Sequence, residues 1–134
     1  VADAGMTLYT VGSVKRIPGY KQYVAIDGGM TDNPRYALYQ SRYTVLHGSR
    51  TGNEERFDVV GRCCESGDLI QENTQLQTPA VGDILAVLST GAYNYSMASN
   101  YNRVPRLPVV MVRGGEDSLA VRRETYEDLV RNDV

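Results

Sequence analysis

Alternating apolar and polar positions along the first half of the chain predict β-strands separated by tight turns. Residues 7–17 are rich in Thr, Val and Tyr and end at the turn pair Pro18-Gly19, after which residues 23–27 predict a second strand. Residues 36–46 contain Tyr and Val and predict a further strand, and residues 57–60 alternate apolar and polar positions and predict another. The first half of the chain therefore favours β-structure.

The second half continues this pattern and ends in a helix. The apolar run Ile-Leu-Ala-Val-Leu within residues 83–89 predicts a buried strand at the densest part of the core, and residues 107–113 predict a last strand. Between them, residues 91–106 form a long, Tyr-bearing loop of the kind that is usually functional. Gly114-Gly115 predicts a turn, and Thr125 is a candidate N-cap for a short C-terminal helix.

Length and composition fit one globular domain. The chain has 134 residues, of which 22% are charged and 42% are hydrophobic, values typical of a folded single domain. Many strands with a single terminal helix predict a mainly β protein, a closed or nearly closed antiparallel β-barrel. We therefore expect residues 1–134 to form a single β-barrel domain.

Charge and hydropathy narrow the possible partners. The net charge is −2, with acidic and basic residues interleaved along the chain. The sequence therefore predicts no overall electrostatic field that would favour binding to nucleic acid or to an anionic membrane. The apolar runs are far shorter than the roughly 18 residues that a membrane-spanning helix needs. We expect a small-molecule partner, with no nucleic acid and no membrane.

The cysteines, the histidine and the N-terminus indicate the compartment. Cys63 and Cys64 are adjacent, a spacing that rarely reaches disulfide geometry. His47 is the single histidine, so no zinc-binding spacing exists and no metal is expected. Residues 1–4 lack an initiator Met and a signal-peptide pattern. A reduced, cytoplasmic protein is predicted.

A first motif, at residues 27–35, combines a Gly-Gly turn with Arg35, and Tyr39 follows four residues later. Positions four apart in a strand share a face, so Arg35 and Tyr39 could bind one carboxylate together. The structural interpretation is a surface arginine beside a turn and a tyrosine in the core.

A second motif is Gly-Arg-Cys-Cys-Glu-Ser-Gly-Asp at residues 61–68. A carboxylate next to a thiol does not favour stability, because a buried carboxylate without a partner is costly. The nearby negative charge also favours the protonated thiol, which can act as an acid. The structural interpretation makes Cys63 and Cys64 small hydrophobic residues at a strand end, with Glu65 and Asp68 solvated in a turn. For Cys63 we keep that structural interpretation.

A third motif, at residues 91–102, mixes small residues with Tyr93, Tyr95 and Tyr101. Small residues allow a ligand or a second backbone to come close, and tyrosines supply stacking surface and hydroxyl groups. A pocket wall or an interface is one interpretation. A Tyr-rich packing loop is the other, and the sequence pattern does not decide between them.

Together and in this order, the three motifs resemble the diaminopimelate decarboxylases, pyridoxal-phosphate enzymes that make lysine from meso-diaminopimelate. The most specific matches are Cys-Glu-Ser-Gly-Asp at residues 64–68 and Ser-Met-Ala-Ser-Asn-Tyr-Asn at residues 96–102, within a similarity that covers almost the whole chain. The resemblance implies a Greek-key-type antiparallel β-barrel like the C-terminal domain of alanine racemase and group IV decarboxylases. It also implies a partner TIM barrel that binds the cofactor, which at about 250 residues cannot lie within this chain.

The resemblance further implies roles for five residues. Cys64 would protonate the substrate Cα after carbon dioxide leaves, reaching in from the partner subunit of a homodimer, and Glu65 would bind the distal amine of the substrate. Arg35 and Tyr39 would hold the distal carboxylate. Tyr93 would contact both the cofactor phosphate and the substrate.

Two departures and two alternatives accompany this resemblance. The family usually has proline where Tyr36 stands here, and we expect little effect beyond the turn. Lys15 and Lys21 are the only lysines, and neither matches the cofactor lysine, so the isolated chain is expected to be inactive.

A related ornithine, arginine or carboxynorspermidine decarboxylase domain is an alternative function, which the pair Arg35 and Tyr39 argues against. A non-catalytic β-barrel dimerisation module is the other.

Overall fold

The computed structural model describes residues 1–48 and 51–134 and shows eight strands, three short α-helices and two 3₁₀ turns. In chain order these elements are the 3₁₀ turn Ala2–Ala4, β1 Met6–Arg16, β2 Gln22–Ile26, α1 Arg35–Tyr39, β3 Val45–His47, β4 Glu54–Val60, β5 Leu69–Gln77, β6 Ile84–Leu88, α2 Asn94–Met97, the 3₁₀ turn Tyr101–Arg103, β7 Val109–Arg113, β8 Glu116–Val121 and α3 Tyr126–Val130. The mainly β class predicted from the sequence is confirmed.

Six strands form one curved sheet in the order β3-β6-β1-β2-β4-β5. Residues 6–10 of β1 pair with β6 and residues 11–16 pair with β2, with a register shift after Val11, so this one strand joins the two halves of the sheet. The outer strands β3 and β5 contact each other, and the Tyr43 N–H donates to the Gln71 side chain across the gap at 2.8 Å. The sheet is therefore a nearly closed barrel.

Neighbouring strands are antiparallel except β2 and β4, which run parallel. A parallel pair needs a long crossover connection, and residues 27–53, with α1 and β3, supply it. Since β6 and β2 are both antiparallel to β1, the three strands β2, β4 and β6 all run in the same direction.

The core follows from the two-residue period of the strands. Alternate side chains point into the barrel, where their burial removes apolar surface from water at about 25 cal/mol per Å². The residues of this core cluster are Tyr9, Val11, Val24, Ile26, Val45, Phe57, Val59, Ile70, Leu76, Leu85 and Val87. Leu85 and Val87 confirm that the predicted strand at residues 83–89 lies at the core.

The strand predicted at residues 36–46 is wrong. Residues 35–39 are α-helical, and only Val45–His47 pairs as a strand. Pro34 has a helical backbone (φ −79°, ψ −2°), and the Asn33 side chain accepts a hydrogen bond from the Arg35 N–H at 3.2 Å. This local geometry starts a helix even though the tyrosines that follow favour strands.

The C-terminal part contains a hairpin that the sequence analysis did not predict in full. β7 is the predicted last strand, but Gly114-Gly115, with φ values of +62° and +84°, turns the chain back into β8. Two consecutive residues with positive φ are typical of a type I′ hairpin turn. Most side chains on both strands are exposed. The hairpin is a sheet of its own.

The predicted C-terminal helix is confirmed as α3. Thr125 caps it: its hydroxyl accepts from the Asp128 N–H at 3.3 Å, while the Asp128 carboxylate accepts from the Thr125 N–H at 2.8 Å. This reciprocal pair is a capping box. Within the described residues, no helix is both long and apolar enough to cross a membrane.

Candidate active site

All three sequence motifs emerge at the same end of the barrel. They occupy the segments that follow β2, β4 and β6, and these strands run in the same direction. Their carboxyl ends therefore lie along one rim. Strand pairing therefore brings three segments that are far apart in sequence, residues 27–34, 61–68 and 89–108, to one rim.

Hydrogen bonds join the three segments to one another. The Ser99 N–H donates to the Thr31 carbonyl at 2.9 Å. The Asn102 side-chain amide donates to the Cys63 carbonyl at 2.7 Å. The third motif is thus bonded to both of the others. Nothing in the sequence pattern of the third motif indicates this role of Asn102.

Asp68 is the buried centre of this arrangement. Its side chain, 4% exposed, accepts from the Met30 N–H at 2.6 Å and from the Cys63 N–H at 2.7 Å. A Cβ at Gly29 or Gly61 would overlap its carboxylate oxygens. The assumption that Asp68 is solvated in a turn is wrong. The glycines flanking the motif were the sequence signal of this close approach.

Cys63 and Cys64 point into opposite environments. Cys63 is 2% exposed, and burial, together with the nearby Asp68, raises the pKa of its thiol, as suits a small core residue. Cys64 is exposed and has a left-handed backbone with φ +53°. This conformation is uncommon for a residue other than glycine and stores strain. It places only the second thiol at the surface.

Cys64 and Glu65 line a cavity of about 450 Å³. The cavity is also lined by an ion-paired group in which Lys21 contacts both Asp58 and Glu72. Glu65 is exposed and accepts a hydrogen bond from the Ser66 hydroxyl at 3.3 Å. A thiol and an accessible carboxylate beside a polar cavity can offer a proton and bind a cation.

Arg35 lies between two aromatic rings. Its guanidinium carbon is 5.5 Å from the centre of the Tyr39 ring and 5.1 Å from that of Tyr93, within the range of cation–π attraction. Within the described residues, no carboxylate forms an ion pair with Arg35. The expected pairing of Arg35 with Tyr39 is present, but through one turn of α1 rather than along a strand. Tyr39 is 61% exposed and is not a core residue.

Tyr93 reaches Arg35 from a strained position. Its φ is +68°, at the residue preceding α2, where a bulky side chain is a genuine outlier. Its carbonyl accepts from the Met97 N–H at 2.8 Å and so begins the helix. Such strain often occurs where a side chain must be held in a functional position.

The loop that leads to α1 contains a buried carboxyl group. Asp32 is 7% exposed and accepts from the Gly29 N–H at 3.1 Å. Burial raises the pKa of Asp32 to about 6, although the Gly29 bond and the Arg62 charge act in the opposite direction. Protonation of this loop near neutral pH is therefore accessible.

The predicted site residues form two groups. Arg35 contacts both Tyr39 and Tyr93, whereas Cys64 and Glu65 line the cavity, to which none of those three contributes. The two groups are thus separate in one chain, although both lie at the same rim. No cluster of His, Cys, Asp and Glu within the described residues could hold a metal ion.

Comparison with known proteins identifies relatives of the whole chain. A family model described as "Pyridoxal-dependent decarboxylase, C-terminal sheet domain" matches residues 1–91. The diaminopimelate decarboxylase of Bacillus subtilis (strain 168) is 54% identical over 136 residues, which cover 100% of this chain and 31% of that enzyme. The chain therefore spans less than a third of the length of this relative.

Solved structures give the same match. A diaminopimelate decarboxylase from M. jannaschii superposes with a TM-score of 0.95 at 36% identity, covering 100% of this chain and 31% of that one. The diaminopimelate decarboxylase from Helicobacter pylori, solved with L-lysine, superposes with a TM-score of 0.90 at 33% identity, covering 98% of this chain and 32% of that one. The barrel seen here is the same fold.

Proposed function

Because this chain belongs to the C-terminal sheet-domain family of pyridoxal-dependent decarboxylases, we propose that it supplies the proton donor and the substrate-recognition groups of a diaminopimelate decarboxylase. That enzyme converts meso-2,6-diaminopimelate to L-lysine. In this proposal, residues 1–134 form one β-barrel domain beside a TIM barrel that binds pyridoxal phosphate. The chain alone is expected to be inactive.

The residues of this chain fit contact with the cofactor rather than its attachment. Lys21 is held by Asp58 and Glu72, so it is not available to attach a cofactor. The exposed Tyr93 ring beside the Arg35 guanidinium offers a hydroxyl donor at a positive surface, which suits a phosphate oxygen. Pyridoxal phosphate, when bound, withdraws electrons from the substrate Cα and so permits the loss of carbon dioxide.

Recognition of the distal end of the substrate falls to three residues. Arg35 binds the distal carboxylate, the Tyr39 hydroxyl donates a further hydrogen bond to it, and Glu65 binds the distal amine. A substrate that lacks either group leaves a desolvated polar side chain without a partner, and such mismatches are strongly rejected. The enzyme is therefore expected to prefer diaminopimelate over lysine.

Cys64 carries the chemical step assigned to this chain. Its thiol donates a proton to the substrate Cα once carbon dioxide has left. The exposure of Cys64 supports this role, since a proton donor must reach its acceptor. The adjacent Cys63 is buried and takes no part.

One observation carries the proposal. The Arg35 guanidinium is held between Tyr39 and Tyr93, without a carboxylate partner in the described chain, at the same rim as the exposed Cys64. A charge that is oriented but left unpaired is suited to an anionic ligand. A purely structural arginine would be expected to pair with a carboxylate of its own domain.

The separation into two partial sites supports a homodimer. We propose that the cavity group of one subunit faces the Arg35 group of the other, so that each complete site lies at the interface. We also propose that the enzyme works in the reducing cytoplasm, where the free thiols of Cys63 and Cys64 persist.

Substituting Cys64 tests the proposal. In the full-length enzyme that contains this chain, Cys64→Ala should lower kcat about 100-fold or more, because general acid catalysis contributes at least that much, while the dimer persists. Cys63→Ala is the matched control and should lower thermal stability with little change in kcat. Unchanged turnover in Cys64→Ala would assign the chain to the non-catalytic dimerisation module instead.

The substrate can be tested separately. A related ornithine, arginine or carboxynorspermidine decarboxylase has no distal carboxylate to bind, so Arg35 would have no ligand in it. Equal turnover of lysine and diaminopimelate by the full-length enzyme would contradict the assignment of meso-diaminopimelate.

A further inference from the structure

α1 presents Arg35 and Tyr39 but has little of its own to hold it in place. It is five residues long, its N-cap Pro34 makes no side-chain cap bond, and its first N–H is bonded only to the Asn33 side chain before it. Helices this short are unstable in isolation. The orientation of α1, and with it that of the Arg35 guanidinium, must come from contacts with the barrel.

Tyr36 makes the main such contact. It is the buried residue of α1, 7% exposed, and its hydroxyl donates to the Glu72 carboxylate on β5 at 2.5 Å. Burial and the Glu72 bond raise the pKa of Tyr36 to about 12, while the same bond lowers the pKa of Glu72. The phenol remains a donor and the carboxylate an acceptor over the whole physiological range.

Glu72 is itself fixed by a chain of charged bonds. Lys21 donates to the second Glu72 oxygen at 3.0 Å and to Asp58 at 2.7 Å. Asp58, 4% exposed, also accepts from the Asn73 N–H at 2.9 Å. Each carboxylate uses both of its oxygens, so neither is free to rotate. The bond from Tyr36 therefore ends on a rigid part of β4 and β5.

We propose that Tyr36 is a positioning residue for substrate recognition, and that its bond to Glu72 fixes α1 so that Arg35 is oriented towards the distal carboxylate. This inference rests on the proposed function. Consecutive helical residues leave the axis about 100° apart, so Tyr36 can face the barrel while Arg35 faces the ligand. From the sequence, Tyr36 is expected to affect little beyond the turn, whereas its hydroxyl reaches a strand residue 36 positions away.

Removal of the hydroxyl tests this role. In the full-length enzyme loaded with pyridoxal phosphate, Tyr36→Phe keeps the ring, and the KM for meso-diaminopimelate should rise about tenfold. The kcat should change less than about threefold, because Glu72 keeps its bond to Lys21 in this variant and the cavity beside Cys64 stays in place. Tyr20→Phe, at a ring that is 71% exposed, is the matched control and should change neither constant. An unchanged KM in folded Tyr36→Phe enzyme overturns the inference.

Ligand binding supplies a readout that does not depend on turnover. In calorimetry, pimelate, a dicarboxylate of the same chain length as the substrate, should bind Tyr36→Phe about tenfold more weakly. L-lysine lacks the distal carboxylate and should keep its wild-type Kd. Equal weakening of both ligands would mean a general structural role and overturn the inference. Glu72→Gln, which keeps the side-chain shape, should also weaken the binding of pimelate. An unchanged Kd for pimelate in Glu72→Gln would overturn the inference as well.

Arg35→Ala separates this inference from the proposed function. If Tyr36 acts through Arg35, the double variant should have the same KM as Arg35→Ala alone, because coupled residues are not additive. Additive effects on KM overturn the inference. If Arg35→Ala leaves the KM unchanged, the proposed function itself fails. If Arg35→Ala raises the KM but Tyr36→Phe does not, only the role of Tyr36 is lost.

Discussion

Backbone conformation at single residues decides which side chains reach the surface at the motif rim. Cys64 and Tyr93 both adopt left-handed backbone geometry, a state that costs about 1 kcal/mol or more for residues other than glycine. Bonds from Asp68 and Asn102 to the Cys63 backbone hold the segment beside Cys64. The Tyr93 carbonyl accepts from the Met97 N–H and the Ser96 hydroxyl. The strain is the physical cost of exposing one thiol and one phenol at defined positions.

Asp32 predicts a pH dependence of stability. Its pKa is raised to about 6 in the folded chain by burial, from the ordinary value of 3.8. The folded state therefore binds this proton more tightly than the unfolded state. Above pH 6, the charged Asp32 lowers the free energy of unfolding by up to about 3 kcal/mol, and this destabilisation disappears as pH falls from above 6 towards 4.

Asp32→Asn checks this sign, because the amide removes the charge and retains an oxygen for the Gly29 N–H. Urea unfolding should show the variant more stable than wild type at pH 7.5, with the difference shrinking at pH 4.5. A constant difference at the two pH values would contradict the assignment to the Asp32 charge.

Short elements of this chain depend on the barrel to different degrees. α1 is bonded through Tyr36 to β5, and the segment at residues 61–68 is bonded through Asp68 to the loop after β2. The β7–β8 hairpin packs much less against the barrel, since most of its side chains on both faces are exposed. A two-stranded hairpin is marginally stable in water by itself.

Hydrogen exchange should show this difference. In the isolated chain, amides of β7 and β8 should exchange much faster than those of β1, because opening the hairpin exposes little additional apolar surface and leaves the barrel intact. The paired amides of β2 serve as an internal control and should follow β1. Equal protection of the hairpin and of β1 would show that they unfold together.

Across the whole molecule, one barrel end presents two incomplete sites that face different surroundings. In the proposed function, the Arg35 group recognises an anion, and the cavity with Cys64 and Glu65 supplies a proton and a carboxylate. A two-fold dimer can bring the first group of one copy to the second group of the other, giving two equivalent sites.

Subunit mixing tests this arrangement. Arg35→Ala and Cys64→Ala enzymes should each be nearly inactive at low substrate concentration, whereas a dissociated and reassociated equal mixture should recover about a quarter of the wild-type activity. Recovery is expected because half of the dimers carry both variants, and one of their two sites then contains neither substitution. A mixture as inactive as its parents would place both groups in the same subunit.

Local sequence patterns predicted several features correctly. Residues that favour strands gave β1 and β2, a continuous apolar run gave β6, and Thr125 gave the cap of α3, because these depend on neighbouring residues within a few positions. The motif residues Arg35 and Cys64 could also be selected from the sequence, since a fork-shaped donor and a thiol beside a carboxylate have recognisable chemistry. Whether they carry out catalysis stays a prediction.

Other features required the folded chain because they depend on contacts between distant residues. Nothing local in the sequence indicates that β2 and β4 are parallel, yet this pairing brings the three motifs to one rim. The helix α1 replaced a predicted strand because the turn before it outweighed β-propensity. Asp68 and Tyr36 acquired their importance through partners that lie 38 and 36 residues away. Side-chain chemistry can be read locally, but a site exists only where the barrel brings such side chains together.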